Sequence, residues 1–327
     1  MARVNVMKAI VQLNYGSPDV LQLRDIDTPV VKDDEVLVRV HAAAVNIGDW
    51  HLLRGVPYAM RLVSGVFKPK REIPGLDVVG EVALTGTNVE QFRPGDEVFG
   101  WCRGAFAEYA CALETNLLPK PANLTFEQAA AVGDSAATAL AAVRDHGKVQ
   151  SGQTVLIIGA SGGVGTFAVQ IAKALGANVT GVCSTKNVDM VRSIGAVQVI
   201  DYTKEDFTQA GQRYDVMLDL VGSSSLSDCR RALKPRGTYV VVGVGDMGRW
   251  FGLGRQTKAL LLSPFVRQRM RVFVVRHNRE DRAVLKELVE AGKVMPVIGR
   301  RYTLREVPEA LRYQGEGNSL GKIVIAV

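Results

Sequence analysis

The spacing of apolar positions changes near residue 125, and the change divides the chain. Before it the pattern is short and alternating. Glu35-Val-Leu-Val-Arg-Val-His41 reads as a half-buried strand, residues 78–82 as another with a glycine break, and residues 93–100 as a turn followed by a strand. Pro121 punctuates the chain, and Thr125 with Gln128 forms a capping box opening an alanine-rich helix that runs towards Arg144. Beyond it, continuous apolar runs alternate with helical spacing over 154–159, 164–175, 178–183, 187–194, 197–201, 214–221, 226–233 and 238–243. Such alternation predicts an α/β fold with a doubly wound parallel sheet. Residues 271–275 are a candidate last strand. The tail adds a helix over 281–291 and a strand over 322–327.

The first β–α unit carries the most information. An apolar run over 155–158 ends in Gly159-Ala160-Ser161-Gly162-Gly163-Val164-Gly165. Val164, Phe167, Ala168, Ile171, Ala172 and Leu175 then recur at helical spacing up to Gly176. A glycine turn between strand and helix lets backbone N–H groups approach a pyrophosphate. Alanine replaces the first glycine of the usual G-x-G-x-x-G, since the pattern here is Ala160-x-Gly162-x-x-Gly165. The next strand ends in Ser184-Thr185-Lys186-Asn187. An NAD site places a carboxylate about 20 residues after the turn, where it accepts from the ribose 2′-OH. Here the strand end offers hydroxyls and a cation, which suit a 2′-phosphate held by Ser184 and Lys186. Asp189 falls on the solvated face of the following helix. NADPH is therefore expected over NADH, the alternative being that Lys186 is an ordinary surface lysine.

Composition narrows the class. A chain of 327 residues exceeds the usual single-core size, so two domains are expected. The split falls into residues 1–124 together with 279–327, and residues 125–278. Hydrophobic residues at 47% and charged residues at 22% fit a globular protein. No run approaches the ~18 apolar residues of a membrane helix, and the N-terminus lacks a signal-peptide core. Four scattered cysteines (Cys102, Cys111, Cys183, Cys229) point to a reducing cytoplasm rather than a disulfide framework. The net charge of +7 comes without a nucleic-acid motif, so no nucleic-acid partner is expected. The basic stretch at 267–271 is either an anion contact or a solvated face. The apolar 248–262 segment walls a substrate cleft, lies at a dimer interface or touches a membrane surface.

Gly152-Gln-x-x-Leu156-x-x-x-Ala160-Ser161-Gly162-Gly163-Val164-Gly165, continued by Gln170 and Lys173, resembles the signature of the zinc-independent quinone oxidoreductase (zeta-crystallin-like) branch of the medium-chain dehydrogenase/reductase superfamily. Ala43-Ala-Val-Asn46-x-x-Asp49, Pro74-Gly-Leu-Asp77-x-x-Gly80, Arg93-Pro-Gly-Asp-Glu-Val98, Val199-Ile-Asp-Tyr202 and Gly321-Lys322 agree in order. The likeness covers nearly the whole chain and is strongest towards a bacterial and reticulon-interacting-protein-like subgroup. It implies a Rossmann domain over 125–278 and a GroES-like catalytic domain built from both chain ends, with the reacting cleft between them.

By the same resemblance, zinc alcohol dehydrogenases place ligands where Asn46 and Gly75-Leu76-Asp77 stand here. Asparagine and leucine cannot replace a thiolate or an imidazole, so no metal is expected. His41, His51, His146 and His277 show no ligand-like spacing either. Without a Lewis acid, hydride transfer to quinones or α,β-unsaturated carbonyls is the favoured chemistry, because these acceptors delocalise the incoming charge onto an oxygen. The resemblance puts Asn46 near the nicotinamide and His51 at a substrate-pocket position, where it donates a hydrogen bond or packs beside Trp50. Tyr58 is a further donor candidate, and Asp49 holds the loop in shape. Cofactor contacts are implied at Thr138, Ala160, Ser161, Gly162, Gly163, Val164, Tyr202, Val221, Gly222, Gly243, Val244, Asn318 and Lys322, the last two reaching the phosphates. A homodimer through the edge of the nucleotide sheet is expected. The alternative function is an NADPH-binding interaction protein with little turnover.

Overall fold

A computed structural model describes residues 6–209, 211–242, 266–275, 278–317 and 319–327. The chain begins with strands β1 (Val6–Gln12), β2 (Leu21–Asp27) and β3 (Glu35–Val45), then helices α1 (Ile47–Arg54) and α2 (Arg61–Ser64). Strands β4 (Asp77–Thr85), β5 (Glu97–Trp101), β6 (Tyr109–Leu113) and β7 (Leu117–Pro119) lead to helix α3 (Phe126–Leu140). The βα series follows as β8 (Thr154–Ile158), α4 (Gly163–Ala174), β9 (Asn178–Cys183), α5 (Val188–Ser193) and β10 (Gln198–Asp201). It continues through β11 (Tyr214–Asp219), α6 (Leu226–Arg231), β12 (Leu233–Val241) and β13 (Arg269–Val272). Helix α7 (Arg279–Glu290), β14 (Ile298–Thr303), α8 (Val307–Gly315) and β15 (Lys322–Ala326) end it. Among the described residues no helix is long and apolar enough to cross a membrane.

Two compact units result: Met1–Asp134 with His277–Glu290 and Pro296–Val327, and Ser135–Arg276 with Ala291–Met295. The first cut falls inside α3 rather than at 124. The expected uninterrupted alanine-rich helix is broken at Gly133, whose φ of −13° and ψ of −123° are not helical. A β-carbon at Gly133 would lie 2.2 Å from the Asp77 carboxylate, so the kink makes room for a buried acid. Residues 291–295 join the second unit because the Gln170 side chain donates to the Met295 carbonyl at 2.9 Å and accepts from its N–H at 2.8 Å.

The first unit is a hairpin (β1–β2) and a sheet ordered β14-β15-β3-β4-β5-β7, with β6 also paired to β3. Its core includes Val36, Val38, Val78, Phe106, Leu117, Ile323 and Ile325. β3 runs past the expected end at His41 because Ala42–Val45 pair with the C-terminal strand β15. The pattern alone did not reveal β1, β2, β7 or β14. β14 reads Ile-Gly-Arg-Arg-Tyr-Thr, an edge strand with exposed arginines.

The second unit is a six-stranded parallel sheet ordered β10-β9-β8-β11-β12-β13. Apolar, mostly β-branched residues fill β8, buried from Val155 to Ile158 as a two-sided strand requires. The chain steps outward from β8 to β10, then returns so that β11 pairs the other side of β8. Strand order therefore reverses between β8 and β11. A crevice for ligand opens at such a point, outside the carboxyl ends of the strands.

Candidate functional site: a glycine cradle and a buried polar cluster

In the second unit the turn after β8 sits at this reversal. Gly159 has a φ of +85°, and its N–H, like that of Ala160, donates to Val182 O. Gly162 is extended (φ −79°, ψ 175°) and caps α4. The first-turn N–H groups of this 12-residue helix thus open beside the turn, as an anion site requires. A β-carbon on Gly165 would lie 2.1 Å from Gly159 O, so only glycine lets helix and turn meet. A β-carbon on Gly162 would meet only Gly159 O, at 3.5 Å; the space beyond it is open. These residues fit a dinucleotide pyrophosphate.

Ser161, Gly163 and Val164 are half-buried on the same turn. Ala160 is buried instead, facing Gly181 of β9, which explains why alanine is tolerated where the fingerprint has glycine. Asn187, to which the sequence assigns no role, donates to Ser161 Oγ at 3.0 Å and Ser184 Oγ at 3.4 Å, joining the turn to the end of β9. Lys186 is exposed beside it. Asp201 is the carboxylate at the end of β10, and Thr185, Thr203 and Lys204 engage it. At the end of β11, Val221 is partly exposed, and the Val221 and Gly222 N–H groups donate to Asp219 Oδ1 at 3.2 and 2.8 Å. Tyr239 clamps the other oxygen of Asp219 at 2.6 Å. Asp219 also escaped the sequence reading, because a strand-end acid looks like any turn residue. Tyr202 is exposed and Thr138 half-buried. Gly243, Val244, Asn318, His277 and the 248–262 segment lie outside the described residues.

The first unit gathers a buried polar cluster. Asn46 Nδ2 donates to Asp77 Oδ2 at 2.9 Å, and Lys322 Nζ donates to Asn46 Oδ1 at 2.5 Å and to Val45 O at 3.2 Å. Both Asp77 oxygens accept from Asp134 N–H, at 3.0 and 3.1 Å, a backbone donor released by the kink at Gly133. Asp49 Oδ2 accepts from Asn46 N–H at 2.8 Å and so shapes the start of α1. Lys322, expected at the cofactor phosphates, donates to Asn46 and Val45, and it is buried in the first unit.

Burial raises the Asp77 carboxyl, opposed first by the Lys322 charge, and lowers the Lys322 ammonium, opposed first by Asp77. Asp49 is pushed up to about 7, by burial first. Its Oδ1 has no hydrogen-bond partner among the described residues. Its folded pKa lies above the unfolded one, so the stability it confers is complete below pH 4 and is lost as pH rises towards 7. Stability should therefore fall by on the order of 3 kcal/mol across that window on account of this residue. Asp49→Asn should flatten the decline, and denaturant melts at pH 5 and 8 read it. An unchanged slope would mean that Asp49 is not the titrating group.

His51 and Tyr58 are both half-buried. Burial lowers the His51 pKa, the Val56 backbone opposes this, and the nearby Arg54 charge lowers it further. A neutral imidazole has one N–H to donate, and the Val56 backbone takes it here. The Arg61 guanidinium covers the Tyr58 ring at 4.8 Å and Tyr15 at 4.5 Å.

Two family models match the chain, the alcohol dehydrogenase GroES-like domain over residues 32–122 and the zinc-binding dehydrogenase over 194–325. It is 36% identical to the mouse NAD(P)H oxidoreductase RTN4IP1, mitochondrial, covering all of this chain and 90% of the relative. It is 33% identical to 2-methylene-furan-3-one reductase of Solanum lycopersicum, covering 98% and 79%. The quinone oxidoreductase structure from Coxiella burnetii superposes with a TM-score of 0.87 at 31% identity, covering 98% and 99%. The chain belongs to the medium-chain dehydrogenase/reductase superfamily.

Proposed function

We propose that the chain is a zinc-independent, NADPH-dependent reductase that passes hydride to quinones or α,β-unsaturated carbonyls. The glycine cradle at the β8/β11 reversal carries the reading, because its open face, crowded back and helix N-terminus suit a pyrophosphate. NADPH, when bound, supplies the hydride. The N–H groups at the start of α4 hold its diphosphate. Lys186 and Ser184 hold the 2′-phosphate, and Asn187 orients the serine hydroxyls.

The relatives' names indicate the acceptor class. Reduction of a furanone-type enone is named for the tomato protein, and quinone reduction for a human relative 32% identical over 93% of this chain. Such acceptors need orientation, exclusion of water and donors for a developing oxyanion. Both ends of the Asn46 amide are engaged by Asp77 and Lys322, so we assign Asn46 to shaping the start of α1. Tyr58 is then the oxyanion donor, since the single N–H of a neutral His51 is taken by the Val56 backbone. The Lys322 ammonium beside Asn46 and Asp77 supports zinc independence, since a fixed cation opposes a dication there.

Purified protein should oxidise NADPH with a panel of quinones, enones and alkenals, and should prefer NADPH to NADH by at least about tenfold. Tight NADPH binding without turnover on any acceptor would instead favour the interaction-protein reading. We also infer a homodimer through β13, an edge strand paired only to β12 among the described strands, which sedimentation velocity would read. We further infer a reducing compartment from the four scattered cysteines; the mouse relative is named as mitochondrial, so fractionation should look there as well as in the cytoplasm.

A further inference from the structure

The first unit exposes an apolar segment made of helix α2 and the turn that follows it. Leu62, Val63, Val66 and Phe67 are 73, 75, 53 and 91% exposed. Single exposed apolar residues are ordinary on a protein surface, but four between residues 62 and 67 are not.

The segment is held rather than loose. Lys70 N–H donates to Ser64 O at 2.8 Å and closes its base. The Tyr15 hydroxyl meets Ser64 Oγ at 2.8 Å and donates to Gly65 O at 2.7 Å. Arg61 donates to Gly55 O at 2.9 Å while lying over Tyr15 and Tyr58. Gly65 has a φ of +123°, and a β-carbon there would lie 2.0 Å from Lys68 O, so a glycine-only turn projects Val66 and Phe67 outward. The base is polar and pinned, and the tip is apolar.

The rim has one sign. Lys68, Lys70 and Arg71 follow the tip directly and are exposed, while Glu72 is the only acid between residues 61 and 72. An apolar tip with a basic collar matches the boundary of an anionic bilayer, where acyl chains meet lipid phosphates. Long lysine stems let the charges stay at the headgroups while the tip enters. A second copy of the chain fits less well, because apposed segments would bring two basic collars together.

We propose that the segment spanning residues 61–71 is a peripheral docking surface for anionic phospholipid bilayers, with Phe67 as its inserted tip. This goes beyond the hydride-transfer reading and is independent of it. The full chain should co-sediment with phosphatidylcholine vesicles containing about 30% phosphatidylglycerol at least tenfold more strongly than with phosphatidylcholine alone. About 0.5 M salt should remove most of that difference. Phe67→Ser should weaken partitioning about tenfold through lost apolar burial, and the double substitution Lys68→Gln, Lys70→Gln should do the same through lost charge. All three positions are exposed, so the melting temperature should stay at the wild-type value. Failure of the wild type to sediment with anionic vesicles at low salt would overturn the proposal. So would wild-type partitioning by Phe67→Ser, or a change in that variant confined to its oligomeric state.

Discussion

Lys322→Met should destabilise the first unit by about 3–5 kcal/mol, although the new side chain has nearly the same length and is apolar. The ammonium is buried with Asn46 Oδ1 and Val45 O as acceptors, and its charge is the largest effect opposing the neutralisation of Asp77. Without it, Asp77 is left with Asn46 and one backbone donor, with Asp49 and Asp134 adding negative charge nearby. A buried carboxylate stripped of its countercharge either stays ionised at high cost or takes a proton. The double variant Lys322→Met, Asp77→Asn should therefore be more stable than the sum of the single effects by about 1–3 kcal/mol. Urea denaturation of all four proteins at pH 7 closes the cycle. A single-variant loss below about 1 kcal/mol, with additive effects, would mean that the lysine does not compensate the cluster.

Gly165→Ala should cost about 3 kcal/mol of stability in the second unit and at least about a hundredfold in NADPH affinity. The added carbon would stand 2.1 Å from Gly159 O and 2.8 Å from the Ala160 carbonyl carbon, both backbone atoms without a rotamer to escape into. Helix α4 must then move away from the turn, taking its N-terminal donors with it. Gly162→Ala makes the informative contrast. Its nearest neighbour would be Gly159 O at 3.5 Å, an ordinary contact, so stability should stay within about 0.5 kcal/mol of the wild type. Its β-carbon points into the space assigned to the diphosphate, so affinity should still fall about tenfold. Equal affinity losses without any stability difference would undo the assignment of Gly165 to packing and Gly162 to ligand approach.

Much of the second unit was legible in the chain. The β8–α4–β9 stretch is local: a two-sided strand must be continuously apolar, and an amphipathic helix must repeat near every fourth residue. The turn between them tolerates only small residues. The capping box at Thr125 and Gln128 was equally local and is present, with Thr125 N–H to Gln128 Oε1 at 3.0 Å and Gln128 N–H to Thr125 Oγ1 at 3.2 Å. Less was legible in the first unit. Its sheet pairs β3 with β15, segments separated by most of the chain, and neither strand announces the other.

Individual site residues divide along the same line. Ser161, Gly162 and Gly165 were legible as members of a strand-to-helix turn, because that turn is set by backbone geometry within a few residues. For Lys322 only the resemblance implies a phosphate partner, and its hydrogen bond to Asn46 joins opposite ends of the chain. Asn187, Asp219 and Asp201 bear no local mark, because a polar residue at a strand end has the same pattern whether it faces solvent or clamps a loop.

Short-range periodicity and steric tolerance were therefore enough to establish the parallel α/β layer and its glycine turn, since those constraints act between residues a few positions apart. The buried cluster of Asn46, Asp49, Asp77 and Lys322, the break at Gly133 and the pinning of residues 291–295 needed the folded chain. Charge compensation and desolvation depend on which distant segments become neighbours, and no local pattern encodes that.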